Sequence, residues 1–213
     1  MTPVDDLLDA LEHDALVELV NMGVGRAAAG LAAMVGEQVH LTVPNLALVT
    51  RAQAAALLAA RDPHRLIAVH QRFEGDISGR ALLIFPEAKS LELVRAVAGA
   101  DLSLEDIAEL EHEALAETGN VVLNACLATM ANMLERTLKM SLPDVVRGHG
   151  AELLGLSPAA ETEVVLLLYI DFSMRRRALG GYIVFLMDMP SLMALKALIG
   201  EFIDRATGAP AQV

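Results

Sequence analysis

The sequence predicts an α/β fold of the α+β kind. We expect an internally duplicated domain with pseudo-two-fold symmetry, in which helices pack against a largely antiparallel sheet of six to eight strands. Two observations lead to this prediction. Helix-like and strand-like periodicities follow one another in the same order in both halves, and tight turns join consecutive strand-like runs. A set of polar residues and a proline also recurs at one constant offset.

The recurring set consists of two acidic residues, an asparagine and a proline, and its two copies lie 99 residues apart. The copies are Asp14, Glu18, Asn21 and Pro44, and Glu113, Glu117, Asn120 and Pro143. Chance seldom keeps four such residues in register over this distance. We therefore interpret the chain as two copies of one unit that carries one site.

The first repeat, about residues 9–100, follows an acidic lead-in over 1–12. Apolar spacings of three and four predict helices, alternation and β-branched runs predict strands, and Pro, Asn, Gly and Ser mark their ends. These signals predict a helix from His13 to near Gly36, then strands at Gln38–Val43 and Leu46–Val49 around a turn at Pro44-Asn45. A helix at Ala52–Ala60 and strands at Arg65–Phe73 and Ile77–Phe85 are predicted next, and the repeat closes with a helix that Ser90 caps and Gly99 ends.

The second repeat, about 108–204, restarts the same order. The sequence predicts a short helix that Ser103 and Asp106 cap and that ends at Leu110, followed by a long helix from Glu111 to Leu138 and a turn at Leu142-Pro143. A short helix is predicted at Ala151–Leu156, and two strands at Glu163–Phe172 and Gly181–Asp188 around a turn at 175–177. The last elements are a helix from Ser191 to about Ile199 and a disordered tail over 206–213. A half of this size could fold alone, but no Pro/Gly/Ser-rich linker separates the halves. We therefore expect a single domain over 1–213, with helices against one face of its sheet.

Composition narrows the classes of function. The chain has 213 residues, 54% of them hydrophobic, and a formal net charge of −12 that disfavours nucleic acid and anionic membranes as partners. No apolar run reaches 18 residues and no secretory signal opens the chain, so a cytoplasmic protein is expected. Cys126 is expected to be a buried apolar residue, and the six histidines lack metal-ligand spacing, so no metal site is predicted.

Asp14, Glu18 and Asn21 share a stripe roughly 60° wide, because positions i, i+4 and i+7 lie on one face of a helix. Such a stripe is usually just a solvated face. Duplication favours a site instead, because Glu and Asn persist in both copies while Val20 has become Gly119. A carboxylate can hold a cation of a partner, and a neutral carboxamide can position a water molecule, which is what hydrolysis of an acyl phosphate needs.

The pattern [Asp/Ser]-x3-Glu-x2-Asn-x22-Pro resembles the signature of the CheC-type chemotaxis phosphatases, with Glu113 departing from it in the second copy. The segments Asn21-Met22-Gly23-Val24-Gly25-Arg26-Ala27-Ala28 and Glu117-Thr118-Gly119-Asn120-Val121 add to the resemblance, which covers nearly the whole chain. It implies a protein phosphoaspartate phosphatase that acts on a CheY-type response regulator. Glu18 and Glu117 would then pair with the lysine beside the receiver's phosphoaspartate, and Asn21 and Asn120 would orient the attacking water.

The resemblance further implies that magnesium arrives with the receiver, so that this chain needs no cofactor of its own. It assigns no role to Asp14 and Glu113. It also suggests the receptor deamidase CheD as a partner. The alternative is a non-catalytic adaptor or flagellar-switch-like scaffold of the same fold that binds a receiver or CheD.

Overall fold

The computed structural model describes residues 7–36, 38–98, 104–160, 163–174 and 177–208. Within these ranges six α-helices and seven strands follow one another. In chain order they are α1 (Ala10–Val35), β1 (Val39–Thr50), α2 (Arg51–Arg61), β2 (Leu66–Gly75), β3 (Gly79–Pro86), α3 (Ser90–Ala98), α4 (Leu104–Met133), β4 (Leu138–Met140), β5 (Asp144–Gly148), α5 (Gly150–Leu153), β6 (Val164–Met174), β7 (Arg177–Leu186) and α6 (Met189–Thr207).

The strands form one sheet in the order β1-β6-β7-β3-β2-β4, with β5 also paired to β2. The pairs are antiparallel, which confirms the predicted fold class. β1 pairs with β6 of the second half, and β4 and β5 pair with β2 of the first. Each half thus supplies an edge to the other half's hairpin. The organisation as a single domain of two repeats over 1–213 stays a prediction.

Helices cover both faces of the sheet, so the expectation that they cover one face was wrong. α1, α3, α4 and α6 pack on one face, where strand residues such as Ile67 and Val69 point. α2 and α5 pack on the other, against residues such as Leu66 and Ala68. A strand buried on both faces needs apolar residues at successive positions. This explains the unbroken apolar runs that the sequence shows in the central strands.

The first helix begins at Ala10, inside the stretch assigned to an acidic lead-in. Asp9 and Glu12 form a capping box: each side chain accepts a hydrogen bond from the other's backbone N–H, both at 2.8 Å. Two free N–H groups at the start of α1 are thereby satisfied. Two acidic residues of the lead-in, Asp9 and Glu12, are therefore helix-capping residues.

Pro44 lies inside β1, so the predicted turn at Pro44-Asn45 and the division into two strands were wrong. The register of β1 against β6 shifts between Thr42 and Asn45, which marks a bulge. β1 is an edge strand, and a proline without an N–H is tolerated at an edge or a bulge. At the opposite edge, Pro143 separates β4 from β5, the short strands that the repeated element order predicts at this place without bounds.

The predicted break at Leu110 does not exist, because α4 runs without interruption from Leu104 to Met133. It also ends before Leu138, which lies in a strand. Glu135 adopts a left-handed conformation with φ 56°, and Arg136 N–H bonds to Ala131 O at 2.8 Å, which closes the helix. A non-glycine residue in this position leaves little signal in the sequence.

Smaller differences concern helix ends. Ser90 is helical and its hydroxyl donates to Glu87 O, so it does not cap α3 as predicted. α5 covers only Gly150–Leu153, and α6 extends to Thr207. The predictions for Gly99, Ser103, the turn at 175–176 and the end of the tail fall outside the described residues.

α1 is long and apolar enough to cross a membrane, as judged by length and composition. Its apolar residues also have partners within the described chain. Leu16, Leu19 and Leu31 are fully buried against α4 and the sheet. These contacts are those of a core helix and are consistent with a soluble protein.

Candidate functional site

The first copy of the repeated pattern lies on the outer side of α1. Asp14, Glu18 and Asn21 are exposed, while Leu16, Leu19 and Val20 on the opposite side are buried. No described residue forms a salt bridge with Glu18. The carboxylate of Glu18 is therefore available to a cation on a partner.

The structure brings Asn21 and Pro44 together. Both line a groove of about 320 Å³ between α1 and β1. The other residues that line it are His13, Val17, Val20, Val43, Asn45 and Leu46. Asp14 and Glu18 do not line this groove. The pattern therefore places two exposed carboxylates on the surface of α1 beside a groove that contains the Asn21 amide.

The second copy differs in how deeply the asparagine lies. Glu113 and Glu117 are exposed on α4, whereas Asn120 and Pro143 are half-buried. Asn120 Oδ1 accepts hydrogen bonds from Gln71 Nε2 at 3.1 Å and from Asn124 Nδ2 at 2.7 Å. The amide is therefore held from both sides.

Gln71 also reaches the segment that carries the motif proline. Its Nε2 donates to Ser141 O at 3.0 Å, two residues before Pro143. Ser141 is fixed in turn, because its N–H bonds to Arg72 O and its hydroxyl accepts from Arg72 N–H, both at 2.9 Å. The Pro143 segment and Asn120 are thus joined through one buried side chain.

Gly119 explains why Asn120 lies deeper than Asn21. A Cβ at Gly119 would overlap the side chain of Val69 on β2. The corresponding residue on α1 is Val20, which needs room for its own side chain. α4 therefore approaches the sheet closely enough for Asn120 to contact Gln71.

The two copies form two sites. α1 and α4 run antiparallel, since Gly23 packs on Cys126 and Gly30 packs on Val121. With a rise of 1.5 Å per residue, Asn21 and Asn120 lie roughly 12 Å apart along the helix pair. This separation is too large for both amides to act on one water molecule.

The sequence reading missed Gln71 and Ser141, because neither belongs to the repeated pattern. A signal was nevertheless present. Ile67, Val69 and Phe73 place the apolar side of β2 at odd-numbered positions, and Gln71 is the polar residue in that series. A polar residue on the buried side of a strand needs a hydrogen-bond partner, and this requirement points to a site.

Other candidates for chemistry lie away from these positions. Cys126 is buried, and burial raises the pKa of its thiol to about 12, which suits the apolar role expected of it. Within the described residues, no group of three or more His, Cys, Asp or Glu side chains is arranged to hold a metal ion. The absence of a metal or cofactor requirement stays a prediction.

Each site offers an exposed carboxylate, Glu18 or Glu117, one helical turn from a carboxamide, and neither carboxylate forms a salt bridge with a described residue. The carboxylate can bind a cation, and the carboxamide can hold a polar molecule by hydrogen bonds without changing charge. Neither group is a strong nucleophile. The arrangement suits a reaction in which the attacking molecule is water and the catalyst supplies position.

The chain is similar to curated proteins over most of its length. No protein-family model matches the chain. The CheY-P phosphatase CheC of Bacillus subtilis is 25% identical over 199 residues, which cover 89% of this chain and 94% of that protein. The flagellar motor switch phosphatase FliY of the same organism is 22% identical over 81% of this chain, and the match spans only 44% of FliY.

The fold also has known counterparts. The crystal structure of Thermotoga maritima FliY superposes with a TM-score of 0.73 at 16% identity, covering 92% of this chain and 98% of that one. The middle domain of FliM from H. pylori gives a TM-score of 0.57 at 8% identity, covering 91% and 99%. The chain is thus similar over most of its length to proteins of the CheC/FliY type, and the superposition on FliY shows that it shares their fold.

Proposed function

We propose that the protein hydrolyses the phosphoaspartate of a CheY-type response regulator at two sites, one on α1 and one on α4. The observation that carries this proposal is the twofold presence, one helical turn before an asparagine, of an exposed glutamate that forms no salt bridge with a described residue. Asn21 lies beside Pro44, and Asn120 is joined through Gln71 to Ser141, two residues before Pro143. The names of the curated relatives, CheY-P phosphatase and motor switch phosphatase, support the same reaction.

In the proposed reaction, the receiver docks on the outer side of α1 or α4. Glu18 or Glu117 pairs with the lysine beside the receiver's phosphoaspartate. Asn21 or Asn120 places a water molecule in line with the bond between phosphorus and the aspartyl oxygen. The water oxygen attacks phosphorus, that bond breaks, and inorganic phosphate leaves. Positioning of this kind contributes by reducing the entropic cost of the reaction.

The chain contributes no metal in this proposal, because the magnesium that neutralises the phosphoryl oxygens belongs to the receiver. The net charge of −12 makes a basic patch on the receiver a suitable docking surface. A cytoplasmic location follows from the same assignment, since the substrate is a cytoplasmic signalling protein. CheD remains the second proposed partner.

The test is phosphate release from a CheY-type receiver loaded with acetyl phosphate and Mg²⁺. We expect the wild-type protein to accelerate release and Asn21→Ala/Asn120→Ala to reduce the acceleration roughly 100-fold, the cost of losing the position of a reacting group. Asn132→Ala is the matched control, because Asn132 is an exposed asparagine of α4 remote from the motif. Release no faster than from the receiver alone contradicts the proposal, and an unaffected double variant contradicts the assigned residues.

A non-catalytic scaffold is the second candidate, favoured by the likeness of the fold to the FliM middle domain. A scaffold would bind the phosphorylated receiver without shortening the lifetime of its phosphoryl group. Isothermal titration with a receiver carrying a stable phosphoryl mimic, run beside the phosphate-release assay, separates the two. Binding without accelerated release supports the scaffold.

A further inference from the structure

Gln71 is a fully buried polar side chain on the side of β2 that faces α4. Its amide nitrogen contacts two oxygens, Ser141 O at 3.0 Å and Asn120 Oδ1 at 3.1 Å. Ser141 O is a backbone carbonyl and can only accept. The amide group of Gln71 therefore has one possible orientation, with its nitrogen towards both oxygens.

That orientation fixes the carboxamide of Asn120. Its Oδ1 accepts from Gln71 and from Asn124, so both lone pairs are used. Asn120 Nδ2 donates to no described residue and is not among the buried side-chain atoms that lack a partner, so it is accessible to solvent. The amide hydrogens of Asn120 thus form the surface that an incoming water molecule meets.

The arrangement is costly. Gln71 Oε1 and Asn124 Oδ1 are both buried and have no hydrogen-bond partner among the described residues. Each such group costs about 1–3 kcal/mol. Unsatisfied groups of this kind are rare in folded proteins, and two of them flank one proposed catalytic residue. Stability alone does not account for this cluster.

The first site has no equivalent of this cluster. In the sheet, His70 pairs with Asp144, and Tyr169 pairs with Asn45. His70 and Tyr169 are 99 residues apart, and so are Asn45 and Asp144, so the two pairs are equivalent in the two repeats. The same offset places Ile170 at the position of Gln71, and Ile170 is a buried apolar residue with no side-chain donor. Asn21 is exposed, and no described residue holds its amide.

We propose that Gln71 is a positioning residue that fixes the amide of Asn120 against the Pro143 segment and makes the α4 site the faster of the two. Asn21 must lose rotational freedom when the receiver docks, whereas Asn120 is already ordered. A donor at Nδ2 places the water oxygen and leaves its second lone pair for phosphorus. This inference rests on the proposed function.

The test measures each site separately. Asn21→Ala leaves only the α4 site, and Asn120→Ala leaves only the α1 site. Gln71→Met, an apolar residue of similar size, is added to each background. We expect kcat for release from the loaded receiver to fall roughly 3- to 10-fold in the Asn21→Ala background, with KM unchanged, as for the loss of one hydrogen bond. We expect no further loss in the Asn120→Ala background.

Two further variants separate positioning from folding. Gln71→Leu has no hydrogen-bonding group, so it should reduce the rate at the α4 site as well. Thr129→Val removes another buried hydroxyl of α4, which bonds to Ala125 O at 2.7 Å, and should leave the ratio between the two sites unchanged. The melting temperature of Gln71→Met should stay within roughly 3 °C of its parent, because removal of the unpaired buried Oε1 offsets part of the loss of the hydrogen bonds to Ser141 O and Asn120 Oδ1.

The outcomes are distinct. A loss of equal size in both backgrounds, or no loss in either, overturns the role of Gln71. If Asn120→Ala, which keeps only the α1 site, releases phosphate faster than Asn21→Ala, which keeps only the α4 site, the proposed ranking of the two sites is overturned. If neither background accelerates release at all, the proposed function fails instead, and that result is visible before Gln71 is changed.

Discussion

Gly119 of α4 lies against Val69 of β2 so closely that any Cβ on the glycine would overlap the valine side chain. We predict that Gly119→Ala moves α4 away from the sheet, lowers stability by about 1–3 kcal/mol and slows the α4 site. Gly200→Ala is the control. A Cβ at Gly200 of α6 would have no neighbour within 4 Å, so this variant should gain about 0.5–1 kcal/mol.

Urea unfolding of both variants, combined with phosphate release in the Asn21→Ala background, measures these effects. Full activity of Gly119→Ala with normal stability would show that close approach of α4 to β2 is not required for the position of Asn120.

Glu18 and Glu117 are predicted to act through receiver affinity. Glu18→Gln/Glu117→Gln should raise Kd for the phosphorylated receiver roughly 2- to 5-fold per site, the range for an exposed ion pair. Added salt should weaken binding of the wild type more than binding of this variant, because screening acts on the ion pair. Asp14→Asn/Glu113→Gln, which removes equally exposed charges from the same stripe, is the control. A lower kcat with unchanged Kd would disprove the anchoring role.

Tyr182 is buried on the opposite face of the sheet, where its hydroxyl donates to Asp62 Oδ2 at 2.7 Å. Tyr182→Phe should cost about 1–2 kcal/mol in urea unfolding while leaving phosphate release unchanged. Asp62→Asn keeps an acceptor and should cost less. Slower phosphate release from Tyr182→Phe would mean that this face contributes to the reaction.

Burial and the neighbouring carboxylate of Asp62 raise the pKa of Tyr182 above its ordinary value of 10.0. The folded state therefore binds the phenolic proton more tightly than the unfolded state, and this contribution to stability is complete below pH 10 and declines as the pH rises further. Absorbance of tyrosinate should accordingly appear at higher pH in the native protein than in urea. Appearance of tyrosinate absorbance near pH 10 both in the native protein and in urea would overturn the assignment of a raised pKa to Tyr182.

Cys126 should resist thiol reagents in the native state. Burial raises the pKa of its thiol to about 12, so little thiolate is present at pH 8, and Gly23 packs directly on its backbone. Labelling with a maleimide should be slow at pH 8 and become fast in denaturant. Rapid native labelling would show that the α1–α4 contact opens readily.

The motif residues were predictable from sequence because the duplication repeats them. Glu18, Asn21, Glu117 and Asn120 could be placed on helices by spacing alone, and the structure puts them there. Their roles in the reaction remain predictions. Gln71 was not predictable in this way, because its counterpart Ile170 differs and repetition offers no signal.

Long-range pairing accounts for the errors in secondary structure. Pro44 is a strong local signal for a turn, yet antiparallel pairing with β6 overrides it at a sheet edge. β4 and β5 are only three and five residues long and exist because β2 offers them partners. Glu135 ends α4 in a conformation usually reserved for glycine. For Pro44 and for β4 and β5 the deciding partner is remote in sequence, whereas α4 ends at a local hydrogen bond from Arg136 N–H to Ala131 O.

The exchange of edge strands between the halves determines when the sheet can form during synthesis. Thr50, the last residue of β1, pairs with Val164, so β1 waits for more than a hundred residues before its partner leaves the ribosome. During that interval its backbone is an open strand edge, which is a template for pairing with other chains. Pro44, which has no backbone N–H, and the bulge beside it leave a gap in the hydrogen-bonding groups of that edge.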